Sequence, residues 1–368
     1  MTTPEGDGNP PDVGATDNPD CQRAIRATTT AQLLEDLGGY AIALWTIASV
    51  IVVILLLLMV RTTLYVNKAA PKHWRRKIVW ISSIYPFVCL MCLCSLIVPG
   101  ANTLLSDVGI IFISIGVSKF VDLCMMYFGG ESSLLLAVGQ IDVPLAARPL
   151  CCCCRPCCPS VAMSKHHLKT MKMLVYQLPF TQSAYCLIYS YLFIANVTSP
   201  GQIAFNDAYI YLTVFNMVST LSAMYGLSMF LQVTKGNLQH YHFMAKAVVM
   251  KLTLIFVKFQ DIIFTISINY GGVSSTKHMP PLVYGFYIRD IVVLLEMFML
   301  GLLAHRLYTE PKQYRVAAER LSKARLQPLA PGNSDSNSDS DCDSDDGTQR
   351  PVTGGKRYEK IHTPVGGE

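Results

Sequence analysis

The sequence predicts an all-α integral membrane protein with seven transmembrane helices, an external N-terminus and a cytoplasmic C-terminus. Of its 368 residues, 51% are hydrophobic and only 15% are charged, whereas about a quarter of the residues in a soluble domain are charged. Seven long apolar stretches follow one another, each near the length of about 20 residues that crosses a bilayer. The predicted spans are 39–60, 78–98, 108–128, 173–194, 208–233, 247–269 and 282–304.

The distribution of basic residues predicts the orientation of these spans. Residues 1–37 are acidic and rich in Pro and Gly, and so predict a disordered external tail. The segments assigned to the cytoplasm hold 19 Lys and Arg up to Arg325, whereas the external segments hold 3. Because basic residues concentrate on the cytoplasmic side of a membrane protein, this ratio places the N-terminus outside. After the last span we expect a basic juxtamembrane segment, 306–330, and a disordered acidic, serine-rich tail, 331–368.

Six cysteines lie within eight residues of the predicted cytoplasmic loop 129–172. They are Cys151, Cys152, Cys153, Cys154, Cys157 and Cys158. Disulfides fit poorly in a reducing compartment. Zinc binding through Cys154 and Cys157 with His166 or His167 is conceivable, but four consecutive cysteines do not have the spacing of zinc ligands. Reversible palmitoylation fits a basic loop between spans better, so we expect acylated cysteines and no metal.

Ionisable residues within the spans are the candidates for a solute path. A charge at the bilayer centre costs about 2.5–3.5 kcal/mol on insertion scales and therefore usually faces an interior. The pattern Lys-Phe-x-Asp occurs twice, from Lys119 to Asp122 and from Lys258 to Asp261. At this spacing the two charges share a helix face. Each pattern predicts either a local ion pair that lets the helix insert or a contact with solute. The recurrence of the pattern is explained either by chance or by an inverted repeat of three helices.

Four further polar residues complete the predicted solute path. Arg289 lies about two turns into its span, too deep for easy snorkelling, and is the preferred cationic contact for an anionic solute. Glu296 on the same span is expected to pair with Arg289 or to line the path. Gln177 and Gln182 flank Pro179, and predict either contacts between helices or a polar lining.

The remaining motifs narrow the class of protein. Asn196 begins the one glycosylation sequon, in a predicted external loop but only two residues beyond its span. The sequence contains no Walker, His-Glu-x-x-His or Gly-x-Ser-x-Gly motif. No sequence motif therefore indicates an enzyme class, and no cofactor is expected. The span 108–128 ends in Met125-Met126-Tyr127, which differs from the acidic-basic-aromatic triplet of rhodopsin-like receptors. A seven-span receptor, signalling or scaffold protein remains the alternative to a transporter.

The chain resembles the alpha subunit of the organic solute transporter family over about residues 31–310. The likeness is carried by Phe128-Gly129-Gly130, by the cysteine run with Pro156 and Pro159, by Pro179-Phe180 and by Leu294-Leu295-Glu296-x-Phe298. The resemblance implies facilitative export of bile acids and steroid sulfates at the basolateral plasma membrane, after assembly in the endoplasmic reticulum. It also implies an obligate single-span beta subunit as partner, contact with membrane lipids and no nucleic acid.

Acylation of the cysteine run is testable in cells. Because hydroxylamine cleaves thioesters, hydroxylamine-dependent acyl exchange should label the wild type and not a variant with all six cysteines changed to Ser. Equal labelling of the two proteins would exclude acylation at this run.

Overall fold

The chain is helical apart from one short β-ribbon in the part that the computed structural model describes. The helices are α1 (Thr30–Leu37), α2 (Gly39–Ala69), α3 (Lys72–Ile97), α4 (Asn102–Tyr127), α5 (Glu131–Val138), α6 (Lys165–Ile194), α7 (Ala208–Thr234), α8 (Phe243–Asn269) and α9 (Pro281–Thr309). A 3-10 turn, Pro99–Ala101, joins α3 to α4, and β1 (Asp142–Pro144) pairs antiparallel with β2 (Ser160–Ala162). The described residues are 30–138, 142–144, 160–162, 164–195, 197, 208–234, 243–269, 281–312 and 314.

Seven of these helices, α2, α3, α4 and α6 to α9, have 26 to 31 residues, and each overlaps one predicted span. At 1.5 Å per residue, each is long enough to cross a hydrocarbon core of about 30 Å. Four segments are also apolar enough to qualify as membrane spans: Gly39–Ala69, Lys72–Ile97, Pro99–Tyr127 and Ala208–Thr234. The other three long helices, α6, α8 and α9, are not among these four segments.

Helical structure extends beyond three of the predicted boundaries. Residues 30–37, assigned to a disordered tail, form α1, and the Thr30 hydroxyl donates to the Ile97 carbonyl at 2.9 Å. The predicted loop 129–172 contains α5, the ribbon and the first turns of α6. Helix α9 continues to Thr309. Helical structure extends past the apolar stretches because polar residues do not interrupt backbone hydrogen bonding, so hydropathy alone sets the ends of the helices too short.

The Phe128-Gly129-Gly130 turn has a clear structural reason. Gly129 and Gly130 have φ values of 89° and 118°, which side chains with a Cβ rarely adopt. The Gly129 N–H donates to the Met126 carbonyl and the Gly130 N–H to the Met125 carbonyl, both at 3.1 Å. This pair of bonds is the Schellman arrangement that ends a helix on a left-handed residue. The two glycines therefore end α4 and allow the chain to turn into α5.

Helix α3 lies at the centre of the packing. It contacts α4 on one side and α2 and α9 on the other, while α6 joins α4 to α7. Helix α8 packs closely along α9 and only loosely against α4 and α7. The side chains of Ile78, Ile81, Ile84 and Phe120 are fully buried at the interface of α3 and α4 with the rest of the bundle.

Helix α5 is held against α6 by an ion pair outside the long apolar segments. Lys172 Nζ lies 2.9 Å from Glu131 Oε2. The hydrogen bond and positive charge of Lys172 lower the pKa of Glu131, and Lys165 and Lys169 act in the same direction. The predicted loop after the glycine turn thus begins with a short helix whose acidic first residue meets the basic start of α6.

Close packing of α6 on α7 depends on Gly226. A Cβ at this position would lie 2.8 Å from Leu174 Cβ and 3.0 Å from the Met171 carbonyl oxygen. Gly226→Ala should therefore lower the stability by about 1–3 kcal/mol, as overpacking does, and reduce the melting temperature of the purified protein. Gly109→Ala is the matched control, since a Cβ there meets nothing within 4 Å and Ala favours a helix. An unchanged melting temperature for Gly226→Ala would contradict this packing.

Candidate functional site

A buried ionic cluster joins α3, α4, α8 and α9. The guanidinium of Arg289 donates to Asp290 Oδ1 at 3.0 and 3.2 Å, to Asp261 Oδ1 at 3.1 Å and to Asn102 Oδ1 at 3.0 Å. The Asn102 amide also donates to Asp290 Oδ2 at 2.6 Å, and the Ser95 hydroxyl donates to the same oxygen. We call these five residues the Arg289 cluster. Its members come from four helices, so the position of each helix depends on the other three.

Charge neutralisation explains why the Arg289 cluster is compact. The Arg289 side chain is 8% exposed and that of Asp290 is 5% exposed, whereas the Asp261 side chain is 29% exposed. An unpaired charge in this environment would be costly, and pairing with full hydrogen bonding removes most of that cost. Two carboxylates face one guanidinium, so the cluster is formally anionic. Asp261 is the most exposed of the three charged residues in the cluster.

A cavity of about 370 Å³ lies against the Arg289 cluster, between α3, α4, α8 and α9. Asp261, Arg289 and Asp290 line one side, and Val88, Met91, Cys92, Leu105, Ile110, Ile113, Val257 and Val293 are the apolar residues that line the rest. A cavity with apolar walls and one polar side suits a molecule with an apolar body and polar substituents.

A ladder of polar contacts joins α6 to α7 and includes both predicted glutamines. Gln177 Nε2 donates to Ser222 Oγ at 2.6 Å. The Gln182 side chain is buried, and its amide donates to Asn216 Oδ1 and to Thr220 Oγ1. These contacts are the polar bonds between helices that were one of the two predicted roles.

Lys258 reaches this ladder from α8. Its Nζ lies 3.3 Å from Gln182 Oε1, and none of the ion pairs in the described part of the chain involves it. Asp107 and Asp261 interact with Lys258 electrostatically over a longer distance. Lys258 is therefore an ammonium group of α8 whose hydrogen-bond partner is a neutral amide.

The predicted local ion pairs are wrong in both Lys-Phe-x-Asp patterns. Asp122 pairs with Lys77 of α3 and accepts a hydrogen bond from Tyr176 of α6. Lys119 takes part in none of the ion pairs among the described residues. In the second pattern, Asp261 pairs with Arg289. The aspartates bond to neighbouring helices because the bundle places a basic side chain from another helix closer than the lysine on their own.

The structure also revises the roles expected of Arg289 and Glu296. Arg289 is already bonded to two aspartates and one amide, which differs from a cation open to solute. Glu296 does not pair with Arg289 and instead lies beside Gln260 of α8. Its Oε2 atom is buried without a hydrogen-bond partner in the described structure. The guanidinium of Arg289 is thus already paired, and Lys258 is the more available cation.

Several residues of these clusters had no decisive signal in the sequence. Asn102 and Ser95 are single polar residues near helix ends, where hydropathy does not distinguish them from loop residues. Lys77 was assigned to a cytoplasmic loop, although it bonds Asp122. Lys246, also assigned to a loop, is 1% exposed, and its Nζ lies 4.8 Å from the centre of the Tyr308 ring. Only the spatial arrangement of the helices identifies these contacts.

Two further predictions concern residues outside the described part of the chain. The cysteine run, 151–158, and Asn196 both lie there. Among the described residues, no group of three or more His, Cys, Asp or Glu is placed to hold a metal ion.

Comparison with known proteins gives the family of this chain. Residues 44–314 match the family model described as "Organic solute transporter Ostalpha". The chain belongs to the organic solute transporter alpha family. The matched residues include the seven long helices from the first turns of α2 to the end of α9, and therefore both the Arg289 cluster and Lys258.

Individual members of the organic solute transporter alpha family align over most of their length. The chain is 25% identical to the organic solute transporter subunit alpha of Bos taurus over 295 residues, 80% of this chain and 86% of the relative. It is 22% identical to the Danio rerio subunit over 286 residues, 78% of this chain and 87% of the relative. It is 24% identical to the Caenorhabditis elegans organic solute transporter alpha-like protein 3, over 78% of this chain and 82% of the relative. No solved structure matches the chain.

The pairing of Arg289 leads to a prediction about stability. Arg289→Gln leaves Asp290 and Asp261 without a cation, and breaking a buried pair in this way costs about 3–5 kcal/mol. The variant should lose most of its monodisperse fraction on heating, measured by size-exclusion chromatography in detergent. The double variant Arg289→Gln with Asp290→Asn should recover part of the loss, because it removes one unpaired carboxylate.

Arg306→Gln is the control for this experiment, since Arg306 lies on the same helix and is exposed. It should behave like the wild type. Wild-type stability of Arg289→Gln would show that the Arg289 cluster does not hold the bundle together.

Proposed function

We propose that this chain is the alpha subunit of a facilitative transporter that exports bile acids, steroid sulfates and related amphipathic organic solutes. Membership of the organic solute transporter alpha family supports a transport role. The observation that carries the proposal is the cavity at the Arg289 cluster, whose walls are apolar and whose one polar side is held by paired charges. Such solutes combine a large apolar ring body with hydroxyl or keto groups and one anionic end, which fits this lining.

Lys258 is proposed as the contact for the anionic end of the solute. The Arg289 cluster is formally anionic, so it favours the hydroxyl groups of a solute over its sulfonate or sulfate. Lys258 lies three residues before Asp261 on α8, about 4.5 Å along the helix axis. Its ammonium group has a neutral partner in Gln182, and a charge-assisted hydrogen bond to an anion is stronger than a bond to an amide.

The proposed topology has seven spans, formed by α2, α3, α4 and α6 to α9, with the N-terminus outside and the C-terminus in the cytoplasm. The lengths of these helices support the spans, and the distribution of basic residues supports the orientation. The Arg289 cluster pairs three of the charged residues of α8 and α9, namely Asp261, Arg289 and Asp290, and this pairing supports their insertion. The cysteine run then lies in a cytoplasmic loop, where acyl chains would hold it against the inner leaflet.

A single-span beta subunit is the proposed partner, and the basolateral plasma membrane is the proposed site of action. The relatives' designation as alpha subunits supports a heteromeric complex. Export from the endoplasmic reticulum would follow assembly. The alternative, a seven-span signalling or scaffold protein, would use the same buried polar residues only to join helices.

A flux assay on co-expressed subunits tests the transport function. Cells or proteoliposomes that contain both subunits should carry taurocholate in both directions without a salt gradient, because a facilitative carrier follows only the gradient of its solute. This chain alone should give little flux. A complex that reaches the surface and carries neither taurocholate nor estrone sulfate would contradict the proposal.

The same assay distinguishes the role of Lys258 from that of another lysine on α8. Lys258→Met should lower taurocholate flux about tenfold, the equivalent of one charge-assisted hydrogen bond, and should affect the neutral steroid digoxin much less. Lys251→Met is the matched control, since Lys251 is half-buried two turns nearer the start of α8. Equal losses for both solutes would assign Lys258 a purely structural role.

A further inference from the structure

A second cavity lies between α2, α3 and α9, and it shares none of its lining residues with the cavity at the Arg289 cluster. Its volume is about 240 Å³, and apolar side chains such as Met59 and Ala304 form most of its wall. Four residues with polar groups, Thr62, Ser82, Tyr85 and His305, also line it. None of them has a role in the solute site proposed above.

The hydrogen bonds of Thr62 assign donor and acceptor roles in this cavity. Thr62 Oγ1 lies 2.9 Å from the Leu58 carbonyl oxygen and 2.7 Å from His305 Nδ1. A hydroxyl carries one proton, and a carbonyl oxygen can only accept. Thr62 therefore donates to Leu58 and accepts from the Nδ1–H of His305. In a neutral ring, this tautomer leaves His305 Nε2 as a hydrogen-bond acceptor.

Ser82 adds a hydroxyl whose hydrogen-bonding capacity is unused. The residue is 8% exposed, and its Oγ is buried without a partner in the described structure. Serines in apolar helices usually donate to the carbonyl four residues earlier, as Ser114 does to Ile110 at 2.8 Å. A buried hydroxyl without a partner is unfavourable. A ligand group that both accepts from Ser82 and donates to His305 would satisfy both side chains.

The polar residues of the cavity lie towards the end of α2, and its apolar residues lie towards the middle of that helix. On α2, Leu55 lies seven residues before Thr62, about 10 Å along the axis. At the level of Leu55 the helices approach closely, since a Cβ at Gly301 would lie 2.6 Å from Leu55 Cδ2 and 3.1 Å from Tyr85 Cβ. Leu58 and Met59 are half-buried between these ends. The cavity therefore closes near Leu55 and opens beside α2.

Two basic residues indicate how deep in the bilayer the polar end of the cavity lies. Arg61 and Arg306 are exposed, and each is adjacent in sequence to one of the polar residues, Thr62 or His305. Long basic side chains near a helix end extend to the headgroup layer. The hydrogen-bonding groups of the cavity thus lie just below the headgroups, at the depth where lipids of one leaflet have their polar ends.

We propose that this cavity binds the hydroxyl end of a membrane sterol from the leaflet at which α2 and α9 end. The sterol hydroxyl donates to His305 Nε2 and accepts from Ser82 Oγ, and its rigid ring body lies along Leu58 and Met59 towards the bilayer centre. A phosphate headgroup offers acceptors without a proton to donate, so it leaves His305 Nε2 unsatisfied. The leaflet is the cytoplasmic one if the proposed orientation holds; the site itself does not depend on the transport proposal.

Photolabelling of the full-length protein in nanodiscs tests the site. The probe is a cholesterol analogue with a photoreactive diazirine in its ring system, and the labelled peptides are identified by mass spectrometry. We expect labelling of α2 or α3 near Met59 or Tyr85, with competition by cholesterol and not by cholesteryl methyl ether, which has no hydroxyl proton. Ala304→Leu, which fills the cavity, should abolish this labelling.

Ser82→Ala should weaken cholesterol competition about 2- to 10-fold, the loss expected for one hydrogen bond. The change removes a single atom, so the result stands even if Ala304→Leu does not fold. Ser114→Ala, in another helix, is the control and should match the wild type. Labelling that persists in Ala304→Leu, equal competition by the methyl ether or unchanged competition in Ser82→Ala would each overturn the proposal. Competition by taurocholate and not by cholesterol would make the occupant a transported solute and would also overturn it.

Discussion

The pairing of Arg289 inside the bundle is the interaction on which the rest of the arrangement depends. A guanidinium at this depth requires anionic and amide partners, and those partners come from α3, α4 and α8 as well as from its own neighbour Asp290. The cluster therefore fixes α8 and α9 relative to α3 and α4. It also gives the adjacent cavity a polar side that cannot move without breaking ion pairs.

Two kinds of polar residue can be distinguished within the long helices. The first kind has partners that satisfy its hydrogen bonds and charge, as in the Arg289 cluster, the Lys77–Asp122 pair and the α6–α7 ladder. The second kind retains unused capacity, as Lys258 does with its neutral partner Gln182. Residues of the first kind explain how charged side chains are accommodated inside the bundle. A ligand would gain binding energy from residues of the second kind.

The sequence predicts the class of fold well because hydropathy records the length of each apolar stretch directly. Seven long helices are present where seven spans were predicted, and the two glycines after Phe128 end α4 as their backbone freedom suggests. The helix ends are less predictable, since hydropathy marks neither Lys165 as the start of α6 nor Thr309 as the end of α9. Partner choice is the least predictable feature. Spacing along one helix favours Lys258 as the partner of Asp261, but the approach of α9 supplies Arg289 instead, and only packing decides between the two.

The most direct measurement is an experimental structure of the complex of both subunits with taurocholate bound. We expect the steroid body in the cavity between α3, α4, α8 and α9, its sulfonate within about 4 Å of Lys258 Nζ, the distance of an ion pair, and Arg289 still bonded to Asp290 and Asp261. A sulfonate bound to a released Arg289, or a steroid body bound away from α8 altogether, would contradict this account of the site.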